Sequence, residues 1–214
     1  MRKFSVFILL LLIVGCVTSL QRSLDERFGK ADPTQHDQPT APNEGPSYRT
    51  EVEPILERRC VVCHGCYDAP CQLKLGAWDG IARGASKARV YESSRIKAAD
   101  PTRLFVDANR PSAWRKLGFF PVLNEREQTA EANLAASVLY RSLELKRTHP
   151  LPDESLLPAS FDFSLNRKQT CPTIEEYDHY AQKFPLGGMP YGLPGLGTDE
   201  HDTITDWLQA GSPY

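Results

Sequence analysis

Methionine is almost absent: Met1 and Met189 are the only two in 214 residues, so only one lies beyond the start of the chain. Charge bias is absent as well, with 25 basic residues against 27 acidic ones. A nucleic-acid partner is excluded on that ground, because phosphate binding calls for a clear basic excess. There is also no apolar run of the roughly 20 residues that span a bilayer. The longest, Phe4 to Val14, follows Arg2 and Lys3 and has the length of a signal-peptide core, so residues 1–15 read as the leader of an exported protein.

The leader closes on Ile13-Val14-Gly15-Cys16, which resembles a bacterial lipobox and makes Cys16 a candidate lipid anchor; the alternative is an ordinary signal peptide with a chance cysteine. Either reading places the chain in an oxidising compartment, the periplasm, anchored to a membrane if Cys16 is acylated. Residues 16–46 are polar, carry Pro33, Pro39, Pro42 and Pro46, and show no apolar periodicity, so they are expected to form a flexible tether outside the core. Residues 47–214 are long enough for one domain with its own core.

Thr50 and Glu53 form a capping-box pair ahead of Val52, Ile55, Leu56 and Cys60, which fall on one helical face. That helix delivers Cys60 to its end, where the chain reads Cys60-Val61-Val62-Cys63-His64, the spacing of covalent c-type haem attachment. One helical turn separates the thiols to match the two vinyl groups, and the adjacent imidazole faces the iron. A half zinc site lacks its second ligand pair, and a thioredoxin-like pair follows a strand instead of ending a helix. One covalent haem c is therefore expected, held by Cys60, Cys63 and His64. Met189, in the glycine-rich and proline-bounded run Gly187 to Gly192, is the candidate distal iron ligand ahead of a terminal helix outlined by Thr198, Ile204, Trp207, Leu208 and Gly211. Its rivals are His149, His179 and His201, with His149 and His201 expected on the solvated surface.

The expected fold is mainly α: a cytochrome c-like helical domain with a long helical and loop insertion, at about 76–185, between the attachment motif and the distal loop. In the insertion, a helix is predicted from Glu125 to about Lys146, with Ala130, Leu134, Val138, Leu139 and Leu143 near one stripe, and a shorter one from Thr173 through Tyr177 and Tyr180. Apolar stretches such as Leu104-Phe105-Val106 and Trp114 to Leu123 either pad the haem crevice or build a pocket for an apolar substrate. Cys66, Cys71 and Cys171 cannot all pair; Cys66 with Cys71 closes a short loop, while either reaching Cys171 pins the insertion to the haem segment.

These residues resemble a known family. The runs CVVCHGCYDAPCQL (60–73), RGASK (83–87), DPTRLF (100–105), WRKLGFFPVL (114–123) and LELKR (143–147) are similar to those of the fatty acid cis/trans isomerases of Gram-negative bacteria. The resemblance implies a periplasmic haem enzyme that converts cis-unsaturated acyl chains of membrane phospholipids to trans, with His64 holding and tuning the catalytic iron. Family members are much longer, so the resemblance implies the N-terminal haem portion, with a C-terminal or redox partner chain as a further expectation. Two other functions remain open at this level: a monohaem cytochrome for periplasmic electron transfer, and a haem module with no activity of its own.

Overall fold

The computed structural model describes residues 25–40, 45–65, 69–88, 91–92, 95–96, 102–153, 157–159, 161–162 and 170–214. The expected leader, Cys16 and Cys66 lie outside them. The described residues are mainly helical. The helices are α1 (Glu53–Arg59), α2 (Val61–His64), α3 (Trp78–Arg83), α4 (Pro111–Lys116), α5 (Ala130–Ala135), α6 (Val138–Thr148), α7 (Tyr177–Lys183) and α8 (Thr198–Gln209). A hairpin of two-residue strands, β1 (Tyr91–Glu92) and β2 (Arg95–Ile96), pairs antiparallel. Among the described residues no helix is long and apolar enough to cross a membrane.

The chain enters α1 through a π-helical turn, Tyr48–Val52, and not through the Thr50–Glu53 capping box. The Glu51 carboxylate takes the cap instead, accepting from the Ser47 amide at 2.7 Å, and Thr50 lies inside the turn. Tyr48, Val52, Ile55 and Leu56 are thereby aimed inward, against Trp78 and Ile81 of α3, Val138, Leu139 and Leu143 of α6, Tyr177 of α7, and Ile204, Trp207 and Leu208 of α8. Burying a side chain of this size contributes about 1.5–3 kcal/mol before the entropy of ordering it. The C-terminus closes the core: Trp207 donates to the Pro213 carbonyl at 2.7 Å, and Trp78 to that of Ser212 at 2.9 Å. The terminal helix stands where its periodicity predicts it, and Gly211 at φ +85° takes the left-handed conformation just past its end.

The single helix expected from Glu125 to Lys146 is two helices. Ser137, fully buried, donates its hydroxyl to the Val122 carbonyl at 3.0 Å and accepts from the Tyr140 amide at 3.1 Å, capping α6. A serine with two such partners competes with the helical ladder and breaks it. Glu125 lies before both helices, buried and gripped by the Arg115 guanidinium at 2.5–3.1 Å. The shorter predicted helix is present, as a 3-10 turn, Ile174–Glu176, running into α7.

Residues 25–40 do not behave as the expected tether. Phe28 and His36 are buried. The strap is fastened to the loop before α5 by Asp32 N to Glu125 O at 2.6 Å, Glu127 N to Phe28 O at 3.0 Å, and a 2.9 Å bond between His36 Nε2 and Asn124 O. Asp37 accepts from the Ser112 amide and hydroxyl at 2.9 and 2.7 Å. Proline-rich, polar sequence is compatible with an ordered strap when its backbone groups find partners on a neighbouring loop.

Candidate functional site

α1 ends at Cys60, whose amide still bonds to Leu56 O at 2.8 Å, while Cys60 O accepts from the amides of Cys63 at 3.1 Å and His64 at 3.0 Å. The two cysteines and the histidine are thus set on one continuous turn. Val62 points outward, 77% exposed, and Cys63 is exposed as well. His64 turns inward and is buried. Its Nδ1 lies 3.1 Å from the Leu73 carbonyl, and its backbone oxygen accepts from the Leu75 amide at 2.8 Å. His64 is therefore held by the segment 73–75 through its ring at Nδ1 and through its own backbone carbonyl. Against a carbonyl Nδ1 can only donate, so Nε2 is the nitrogen with the free lone pair, and it makes no hydrogen bond among the described residues. Burial lowers the His64 pKa, which keeps the ring in this neutral, ligating form.

The Cys60 thiol is pushed up to about 11 by burial. A redox-active pair needs a depressed thiol pKa, so the environment of Cys60 argues against a thioredoxin-like role. Gly65 allows the chain to leave α2: a Cβ there would lie 2.9 Å from Val61 O. Paired thiols on one turn, a neutral imidazole fixed through Nδ1, and an open face at Val62 and Cys63 fit a covalently held haem. Among the described residues no group of three or more His, Cys, Asp or Glu side chains is placed to hold a bare metal ion.

Of the three cysteines that follow the attachment motif, Cys71 pairs with Cys171 at a Cα separation of 5.7 Å. The bridge joins the segment that follows His64 to the approach to α7.

Met189 is half-buried in a loop laid across α6. Its amide donates to Ser142 O at 2.9 Å, and Gly188 passes so close that a Cβ would lie 2.3 Å from Lys146 N. The same loop meets α1, where Arg59, the residue before Cys60, donates to Gly195 O at 2.8 Å. Arg59 Nε also stands 3.1 Å from Glu200 of α8. The loop carrying Met189 and the helix carrying the attachment motif are tied together through this arginine. Of the rival ligands, His149 and His179 are exposed. His201, expected on the surface, is half-buried, with Nε2 3.7 Å from Glu144 and its ring beside Tyr140.

Leu104, Phe105 and Trp114 line a shallow, open cleft with Asp79 and residues 108–111, with room for little more than one water molecule. Phe105 and Val106 are each 65% exposed, so this part of the insertion does not pad an interior crevice.

Three features escaped sequence reasoning. Arg83 is fully buried, donating to Thr102 O at 2.6 Å and to Gln72 O, beneath the rings of Trp114 and Phe119. Burial lowers its pKa to about 10. Arg115 pairs with Glu125 and caps the carbonyls of Ala82 and Arg83. Lys146 is 2% exposed. The sequence signal for Lys146 was a cation continuing the Leu139–Leu143 stripe by three residues.

A family model described as fatty acid cis/trans isomerase matches residues 99–214, just over half of the chain. The match takes in the 114–123 and 143–147 runs, Met189 and α8, and begins after the attachment motif. No curated protein and no solved structure was found to match the chain.

Proposed function

The chain belongs to the fatty acid cis/trans isomerase family, and from that membership we propose that it is a periplasmic haem isomerase of unsaturated acyl chains in membrane phospholipids, anchored through Cys16. The observation that supports the haem most directly is the orientation of His64: buried, with Nδ1 3.1 Å from Leu73 O and Nε2 left to ligate. Cys60 and Cys63 would hold the porphyrin through thioethers, and His64 and Met189 are the residues that would ligate its iron.

When bound, haem supplies an iron that draws electron density from the alkene, lowering the barrier to rotation without net oxidation or reduction. The residues of the chain set the conditions. The Leu73 carbonyl fixes the His64 tautomer and ring plane, and with them the donor strength of Nε2. The loop over α6, fixed by the Met189 amide on Ser142 O and by Gly188 against Lys146, would set how firmly Met189 is held as a ligand: a loosely held methionine would suit an isomerase and a firmly held one electron transfer.

The test is the trans-to-cis ratio of phospholipid acyl chains in cells lacking their own isomerase, after expressing the full chain where cytochrome c maturation operates. The ratio is expected to rise with the native sequence and to stay at background with His64→Ala. A rise that His64→Ala matches would remove the haem from the mechanism.

A further inference from the structure

Lys146 sits on the inner face of α6, with its Nζ buried and without a hydrogen-bond partner. The loop from Gly188 to Gly195 covers it. Gly188 lies on its backbone, and a Cβ on Gly195 would stand 3.3 Å from its Cγ. The acidic groups of this neighbourhood are already engaged. Glu144 is held by Arg147 at 2.5 and 3.0 Å, and Glu200 by Arg59 at 3.1 Å and by the Gly197 amide at 3.2 Å. A buried ammonium without a partner costs several kcal/mol, and a chain that only needed packing here would do better with methionine or leucine. The position is also specific. Arg59 and Lys146 meet at the same residue, Gly195: the Arg59 guanidinium, from the helix that ends at Cys60, donates to its carbonyl, and the Lys146 side chain lies next to its Cα.

We propose that Lys146, with Arg59 beside it, is the binding site for a carboxylate brought by a ligand between the attachment motif and the 188–195 loop. Two sources carry that chemistry: a haem propionate, which rests on the haem reading above, and the carboxylate of a free fatty acid, a form distinct from the esterified acyl chain of the proposed reaction, which rests only on the family. In both, the buried ammonium gains a charge-assisted hydrogen bond that nothing among the described residues supplies.

The experiment uses the full chain matured with haem, as native protein, Lys146→Met, Lys146→Gln and Lys146→Arg, each confirmed folded by its denaturation curve. Loss of a buried unpaired charge leaves the Met and Gln variants able to fold. Two quantities are read: the haem reduction potential, and the affinities for oleate and for oleyl alcohol, which shares the chain but not the carboxylate. If the propionate is the partner, the potential falls in Lys146→Met and Lys146→Gln, because a positive charge near the haem has gone, and Lys146→Arg restores it. If the acyl carboxylate is the partner, oleate binds about ten-fold more weakly or worse in the same variants, the scale of one lost hydrogen bond to a charged group, while oleyl alcohol is unaffected. Unchanged potential and unchanged oleate affinity in both Lys146→Met and Lys146→Gln overturn the site. Should the native chain carry no haem after denaturing electrophoresis, the haem reading fails and the oleate comparison alone decides the site.

Discussion

The two halves of the candidate site are built by different means. From Cys60 to Leu75 the attachment half is local: backbone bonds within one turn place the thiols, and residues nine positions on fix the imidazole. The distal half, Gly188 to Gly195, is held at long range: α6 lies under it, Tyr191 donates to Asp162 O at 2.8 Å, and Arg59 reaches across 136 residues to it. A local half can be read from a short motif and tolerates change elsewhere. A half held at long range depends on close approach, and it accumulates the groups whose purpose a motif does not reveal, Lys146 first among them.

The largest effect separates the halves by the nature of the bond. Cys60→Ala with Cys63→Ala is expected to abolish haem staining after denaturing electrophoresis completely. Met189→Ala is expected to keep the stain in full while removing the weak near-infrared band of a thioether-ligated ferric haem and opening the iron to added ligands. Staining that survives the double cysteine change breaks the attachment half. A spectrum unmoved by Met189→Ala breaks the distal one.

Next is the bridge between Cys71 and Cys171, which spans 100 residues and ties the attachment segment to the approach to α7. Closing a loop of that length restrains the unfolded chain, so Cys171→Ser is expected to destabilise by about 3–5 kcal/mol, measured by denaturant unfolding. A loss below about 1 kcal/mol would mean that the two regions are held together by packing alone.

What the sequence made legible follows the same division. The turn that carries Cys60, Cys63 and His64, the terminal helix and the Thr173 start of the shorter insertion helix rest on spacing, and each is found. The break at Ser137 was hidden because a serine on a helical stripe reads as a surface position until Val122 O is known to lie beside it. The strap of residues 25–40 was hidden because its partners, Asn124, Glu125 and Ser112, are far away in sequence and polar composition alone reads as tether. The Cys71–Cys171 pairing was one of several the count allowed, and only the fold selects it.

Two glycines sharpen the comparison further. Gly188→Ala pushes a methyl to within 2.3 Å of the α6 backbone, so the loop must lift, at an expected cost of about 1–3 kcal/mol and with a disturbed Met189 spectrum. Gly76→Ala, near the attachment segment, meets only Val61 Cγ2 at 3.8 Å, and is expected to be neutral or stabilising by about 0.4–1 kcal/mol. Equal costs at the two positions would contradict the division into a tolerant half and a close-packed one.

The smallest effect comes from outside both halves, from His36 in the strap. Burial lowers its pKa, so the folded chain resists protonating it while the unfolded chain takes up the proton at the ordinary value, near 6.5. As pH falls through that value the unfolded state binds more protons than the folded one, and stability drops; above it, the full contribution of His36 is present. His36→Gln keeps a donor for Asn124 O and cannot titrate. Thermal unfolding at about pH 8 and about pH 5, on either side of the histidine range, should therefore show a smaller difference in the variant than in the native chain. In the chain with Cys60→Ala and Cys63→Ala, expected to carry no haem, His64 shifts in the same direction and for the same reason, so part of the pH dependence should remain there when His36→Gln is added. A difference that His36→Gln leaves wholly intact makes the strap electrostatically silent.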